Sequence, residues 1–78
     1  MEEYKRFEIG ETYEPFNLIE CQSWLNPIVC IKRTNHFVWF KDYDFCSGDA
    51  IQIYKRKINQ GYGCENVKMF NDTIVYSR

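Results

Sequence analysis

Apolar and polar residues alternate with a period of two along much of the chain, which is the pattern of strands with one buried face. Phe7 and Ile9 alternate with charged neighbours before Gly10, and an extended run then resumes through Tyr13 to Pro15. These residues predict a first strand interrupted by a kink or turn. The later runs AIQIYKRKI, ENVKMF and TIVYS predict three more strands, with turns at residues 61–63 and 71–72.

The stretch IVCIKRTNHFVWFKD, residues 28–42, predicts a β-hairpin with a basic pair at the end of its first arm. A two-residue turn at Asn35 and His36 fixes which residues face each other across the two arms. The predicted pairs are Arg33 with Val38, Lys32 with Trp39, and Ile31 with Phe40.

This register divides the hairpin into two faces, because side chains alternate along a strand. One predicted face is core and consists of Val29, Ile31, Val38 and Phe40. The other is exposed, allows cation–π contacts between an indole and two ammonium groups, and consists of Cys30, Lys32, Trp39 and Lys41. A three-residue turn would instead move Trp39 to the face of Ile31 and bury it.

The segment PFNLIECQSWLNP is ambiguous, because Leu18, Cys21 and Leu25 fit helical spacing between two prolines, yet the segment is short enough to be a loop. We therefore predict an all-β fold with a short helix near residues 16–25 as an open alternative. So many short strands in so few residues favour a small curved antiparallel sheet or a partly open barrel of about five strands, because closure removes aggregation-prone edges.

The length of 78 residues predicts a single domain spanning residues 1–78. Aromatic residues make up 18% of the chain, which excludes a disordered protein. No run approaches the roughly 20 apolar residues of a membrane span, and the charged start lacks a signal-peptide core. These features predict a soluble cytoplasmic protein without membrane partners, whose small core gains from an added stabiliser.

Four cysteines offer one such stabiliser, since thiolates are the usual ligands of structural zinc. The spacing lacks a C-x-x-C motif, and a cytoplasmic protein keeps its thiols reduced, so buried free thiols are favoured over zinc and zinc over disulfides. The candidate metal ligands are Cys21, Cys30, Cys46 and Cys64. No other cofactor is expected.

Nothing in the chain predicts catalysis. The single histidine, His36, is expected in a turn, and no nucleophile, base and orienting group occur together. We predict a protein that is not an enzyme and has no small-molecule substrate.

An exposed tryptophan beside lysines suits two kinds of partner, a single-stranded nucleic acid or a protein surface. The acidic stretch DYDFCSGD begins at residue 42, directly after Lys41 of the exposed face, and favours a basic protein, since it would repel phosphates. The predicted protein-binding residues are Trp39, Asp42, Tyr43, Asp44 and Asp49. The alternative nucleic-acid site around Trp39 consists of Lys32, Phe37, Lys41, Lys55, Arg56 and Lys57.

Three segments, FEIGETY, VCIKRTNHFVWF and RKINQGYGCENV, resemble blocks in small β-rich proteins of phages and mobile elements, although the cysteine spacing here is wider than theirs. Proteins of that profile resemble anti-CRISPR inhibitors. The resemblance implies a non-catalytic inhibitor in the cytoplasm of a bacterial host, which binds an RNA-guided defence nuclease and blocks its access to DNA. The alternatives are a small barrel that binds single-stranded nucleic acid, a zinc-stabilised interaction module and a structural protein of a larger assembly.

Overall fold

The computed structural model describes residues 3–19, 22–23, 27–43 and 50–77. Within these residues the chain forms strands, turns and coil, and no helix. Five strands have four or more residues, and they correspond to the two predicted hairpin arms and the three later predicted strands. The strands are β1 (Thr12–Tyr13), β2 (Phe16–Asn17), β3 (Gln22–Ser23), β4 (Ile28–Arg33), β5 (Phe37–Tyr43), β6 (Ala50–Lys57), β7 (Asn59–Gln60), β8 (Glu65–Phe70) and β9 (Thr73–Tyr76).

The strands form two antiparallel sheets. One has four strands in the order β1-β4-β5-β6, and the other has five in the order β3-β2-β9-β8-β7. The chain passes between the sheets where Glu14 and Pro15 separate β1 from β2, between β3 and β4, and at Ile58, which separates β6 from β7. The all-β prediction is confirmed, and over the described residues the two sheets are not closed into a barrel.

The prediction of a short helix near residues 16–25 is wrong for the described part of that segment. Phe16 pairs with Ser23 on one side and with Ile74 on the other, as a middle strand does. The Asn17 side chain accepts a hydrogen bond of 3.0 Å from the Ile19 amide, which closes a turn of the kind that competes with helix formation. Cys21 and Leu25, on which the helical spacing depended, lie outside the described residues.

The predicted register of the β4–β5 hairpin is confirmed next to its turn. Arg33 faces Val38 and Lys32 faces Trp39. The Thr34 amide donates to the Phe37 carbonyl at 2.8 Å and closes the turn. The two-residue turn is therefore the correct interpretation of this sequence.

The register shifts one residue further along, where Ile31 forms a β-bulge. Phe40 faces Cys30, whereas the prediction paired it with Ile31. Cys30 and Phe40 are fully buried, while Val29 and Ile31 are only half-buried. The predicted placement of Cys30 on the exposed face and of Val29 and Ile31 in the core is wrong, because the extra residue reverses the facing of β4 before the bulge.

Three aromatic rings form the centre of the core. Phe7 lies 5.1 Å from Tyr13 and 5.3 Å from Phe40 between ring centroids, in edge-to-face geometry. Residues 7–9 are not a strand, and the chain turns at Gly10, whose φ of 92° favours glycine. Around the rings pack buried side chains from both sheets and from the connection between β6 and β7: Ile28, Cys30, Val38, Ile58, Val67, Met69 and Val75.

An ion pair between Arg33 and Glu65 lies against this core. The guanidinium Nη1 and Nη2 donate to the two Glu65 carboxylate oxygens at 2.7 and 3.0 Å. Arg33 also donates to the Phe7 carbonyl at 2.7 Å, and the Phe7 amide donates to Glu65 at 2.8 Å. The pair thus joins β4, β8 and the N-terminal segment.

The N- and C-terminal segments meet beside the same glutamate. The Lys5 amide donates to Gly63, and the Glu65 amide donates to Lys5, both at 2.9 Å. The Ser77 hydroxyl lies within hydrogen-bond distance of the Lys5 and Glu65 carbonyls, at 3.0 and 2.9 Å. Residues far apart in sequence are therefore fixed around one buried carboxylate.

Replacing Glu65 with glutamine should lower the free energy of unfolding by about 3 kcal/mol, because it leaves the largely buried Arg33 guanidinium without its counter-ion. Urea denaturation measures this change. The matched control, Glu8→Gln, removes an exposed carboxylate and should change stability by less than about 0.5 kcal/mol. Equal effects of the two substitutions would contradict the structural role of the ion pair.

Acid should weaken the fold through the same carboxylate. Burial raises the pKa of Glu65, but the hydrogen bonds from Arg33 and Phe7 and the Arg33 charge outweigh it, so the pKa lies below its ordinary value. This stabilisation is present above the unfolded pKa of about 4.3 and is lost as the pH falls through the folded pKa. Urea midpoints between pH 7 and pH 3 should therefore fall more steeply for the native protein than for Glu65→Gln, and parallel curves would refute the linkage.

Candidate functional site

The outward side of the four-stranded sheet is rich in lysine and apolar residues. Trp39 on β5 faces Lys32 on β4 and Lys55 on β6, so three side chains form one row across the sheet. The rows on either side pair Phe37 with Lys57 and Lys41 with Ile53. We call this surface the lysine–tryptophan face, and it consists of Lys32, Phe37, Trp39, Lys41, Ile53, Lys55 and Lys57.

Two ammonium groups lie over the indole ring. The Lys32 Nζ is 4.8 Å and the Lys55 Nζ 5.3 Å from the Trp39 ring centroid. The Lys55 Nζ is also 4.5 Å from the Phe37 ring centroid, so it lies close to both rings. The predicted cation–π contact of Trp39 with Lys32 is confirmed, and the second contact comes from Lys55 rather than from the predicted Lys41.

The face is accessible and positively charged. Phe37 is 36% and Ile53 is 53% exposed, and Trp39 is half-buried. Asp42 is the one acidic residue in the sequences of β4, β5 and β6, and it pairs with Ile28 on the core side. Among the described residues Arg33 and Glu65 form an ion pair, whereas the lysines at 32, 55 and 57 have no carboxylate partner.

The predicted protein-binding residues are only partly described. Trp39 and Asp42 point to opposite sides of β5, and the Asp42 Oδ1 is buried with no hydrogen-bond partner among the described residues. Asp44 and Asp49 lie outside the described residues, and for Tyr43 the structure describes only the backbone. Trp39 and Asp42 therefore do not share one surface.

The predicted nucleic-acid residues, by contrast, largely share one surface. Lys32, Phe37, Lys41, Lys55 and Lys57 all lie with Trp39 on the lysine–tryptophan face. Arg56 is the exception, because its neighbours Lys55 and Lys57 alternate with it and it points to the other side of β6. Ile53 and the Lys55–Trp39 contact were not predicted, since both depend on the β5–β6 register and nothing local in the sequence fixes this register.

The cysteines that the structure describes are Cys30 and Cys64. Cys30 is fully buried in the core, and its thiol donates to the Lys32 carbonyl at 3.8 Å. Burial raises the pKa of this thiol, which opposes the thiolate form that zinc requires. Across the described ranges, no group of three or more histidine, cysteine or acidic residues could hold a metal ion. Cys21 and Cys46 lie outside these ranges, so the zinc hypothesis stays a prediction.

His36 lies in the β4–β5 turn, as the sequence predicts. Its carbonyl accepts a 2.7 Å hydrogen bond from the Ile58 amide, so its backbone anchors the end of β6. The absence of catalysis stays a prediction. In the part of the chain that the structure describes, no helix has the length and apolar character needed to cross a membrane.

Comparison with known proteins gives no match. No family model matches the chain, and no curated protein or solved structure matches it. The geometry of the lysine–tryptophan face is therefore the basis for proposing a function.

Cys30 should react with iodoacetamide at least about tenfold more slowly than the half-buried Cys64, because burial both blocks access and disfavours the thiolate. Mass spectrometry of time-resolved labelling measures each site separately. The difference should persist after treatment with a chelator and disappear in urea. Equal rates in the folded protein would contradict the burial of Cys30.

Proposed function

We propose that the protein binds single-stranded nucleic acid through the lysine–tryptophan face. The observation that carries this proposal is the placement of two lysine ammonium groups over one half-buried indole, on a surface whose strands contribute no outward acidic residue. Single-stranded nucleic acids combine flat bases with anionic phosphates, which are the two features that such a surface binds.

The energies involved allow a base to displace the lysines from the ring. An exposed cation–π contact contributes about 0.5–1 kcal/mol. Stacking of a base on an aromatic side chain contributes about 1–3 kcal/mol. A base can therefore take the place of Lys32 or Lys55 over Trp39, and the released ammonium group can then bind a neighbouring phosphate.

The same geometry favours single strands over duplexes. In a duplex the faces of the bases are stacked on one another, so an aromatic ring on a sheet surface has no base face to contact. Duplex binding would depend on phosphate contacts alone, and the formal net charge of the whole chain is only −1 at neutral pH. The rings at Trp39 and Phe37 thus contribute mainly to single-strand binding.

The inhibitor hypothesis stays a prediction, as does the bacterial cytoplasm as its location. The inhibitor hypothesis needs Trp39 and the acidic residues on one surface. Trp39 lies on an accessible surface, but Asp42, the acidic residue of this set that the structure describes, is on the opposite side of β5. An RNA-guided nuclease carries RNA and single-stranded DNA, so a protein that binds single strands could also act on such a target. The zinc-stabilised module and the structural protein likewise stay predictions.

Trp39→Ala should weaken the binding of a fluorescently labelled 12-nucleotide single strand by roughly 5- to 150-fold, because it removes one stacking platform worth about 1–3 kcal/mol. Fluorescence anisotropy titrations measure this loss. The matched control is Tyr62→Ala, which removes a fully exposed ring from the turn between β7 and β8. The folded state of each variant is checked by urea denaturation.

Lys32→Gln and Lys55→Gln should each reduce the slope of log affinity against log salt by about 0.7, the value for one phosphate contact on a single strand. Lys68→Gln, an exposed lysine on β8, should leave the slope unchanged. If the native protein binds neither DNA nor RNA single strands at low salt, or if Lys68→Gln lowers affinity as much as Lys55→Gln, the proposed function is wrong. Binding to an acidic protein instead would then be the interpretation to pursue.

A further inference from the structure

A second group of aromatic and cationic side chains lies on the other side of β6. The Arg56 guanidinium carbon is 5.3 Å from the Tyr54 ring centroid and 5.7 Å from the Phe70 ring centroid. The two rings meet edge to face, with centroids 5.8 Å apart. Tyr54 packs against the core and is half-buried, as is Arg56, whereas Phe70 is 42% exposed, so the cluster opens to solvent at Phe70.

Arg56 is held in place by its own hydrogen bonds. Its Nε donates to the Met69 carbonyl at 3.0 Å, and its Nη1 donates to the Lys55 carbonyl at 2.9 Å. Its Nη2 has no recorded partner among the described residues, and no carboxylate is paired with the guanidinium there. An oriented guanidinium with an unused N–H edge is a good donor to a phosphate oxygen.

The two surfaces are adjacent because they flank the same strand. Lys55 contributes to the lysine–tryptophan face, and Arg56, the next residue, contributes to the cluster behind it. Within the described residues β6 is the last strand of its sheet, and it contacts β8, which carries Phe70. Among the described residues, each surface combines aromatic rings with cations that have no carboxylate partner, which are Lys32, Lys55 and Lys57 on one surface and Arg56 on the other.

We propose that a single strand bound on the lysine–tryptophan face continues around the edge of β6, placing a phosphate at Arg56 and a base against Phe70. This inference rests on the proposed function and extends it to a longer binding site. Charge complementarity favours this occupant, because both surfaces offer cations and rings and the strand supplies phosphates and bases at regular intervals. Sites of about 4–16 nucleotides are usual for small β domains that bind single strands.

The test compares a 4-nucleotide and a 12-nucleotide single strand of the same base in competition titrations. Phe70→Ala should weaken binding of the 12-mer by about tenfold and leave the 4-mer unchanged, because only the longer strand reaches both surfaces. Arg56→Gln should act in the same way and should also lower the salt slope for the 12-mer. The ratio of 12-mer to 4-mer affinity is compared between variants, since a longer strand also gains from its greater number of overlapping sites.

Several controls keep the outcomes distinct. Tyr62→Ala and Lys68→Gln are the matched losses of an exposed ring and an exposed charge and should leave the ratio unchanged. Because Arg56 also bonds Met69, Arg56→Gln can destabilise the fold, and Phe70→Ala tests the inference without touching that bond. Urea denaturation verifies that each variant is folded.

Loss of 12-mer affinity alone supports the extended path. If Phe70→Ala and a folded Arg56→Gln leave the ratio unchanged while Trp39→Ala weakens both strands, the extension is wrong and the proposed function stands. Equal losses for the 4-mer and the 12-mer would also overturn the extension, since they would make the cluster part of one short site. If the native protein binds neither strand, both proposals fail together.

Discussion

The β-bulge at Ile31 decides which residues of β4 face the core and which face solvent. Before the bulge, Ile28 and Cys30 point inward, and strict alternation would continue with Lys32 inward and Arg33 outward. The extra residue reverses this order. Lys32 therefore faces outward to Trp39, and Arg33 faces inward to Glu65, so one irregularity provides both the surface lysine and the buried ion pair.

The ion pair that results joins the two sheets at a point where the hydrogen-bonded ladders do not. Glu65 begins β8, Arg33 ends β4, and the Phe7 backbone bonds to both. A buried carboxylate without a partner costs several kcal/mol, whereas a bidentate pair with a further backbone donor is largely compensated. In a chain of this size, with a net stability of only about 5–15 kcal/mol, this group of contacts is a large fraction of what keeps the sheets together.

The surface chemistry follows from how β5 and β6 are aligned. The register sets Lys55 opposite Trp39 and Lys57 opposite Phe37, which concentrates positive charge and aromatic area on one side. The same strand presents Arg56, Tyr54 and the neighbouring Phe70 on its other side. Strand β6 therefore contributes cations to two aromatic surfaces. A flexible anionic chain is the kind of ligand that can contact both surfaces.

Much of this protein could be predicted from its sequence, because the signals are local. The period of two, the turn residues at Asn35 and His36 and the spacing of the glycines are sufficient for the all-β class, the five longer strands and the register beside the hairpin turn. The pairing of Lys32 with Trp39 follows from that register, and the candidate lysines could be named in advance. The helical spacing near residue 18 led to a wrong prediction. The turn closed by the Asn17 side chain and the pairing of Phe16 with Ile74 favour a strand over a helix there.

Only the tertiary structure decided the remaining features, because each depends on residues distant in sequence. The bulge at Ile31 leaves no local mark, since Ile31 and its neighbours are all suitable strand residues. The bond between Arg33 and Glu65 spans 32 residues, and the contact of Lys55 with Trp39 requires β6 to align with β5 across a connection whose length does not set the register. The sequence alone determined which side chains have the chemistry to bind a partner, and the packing of the two sheets determined which of them share a surface.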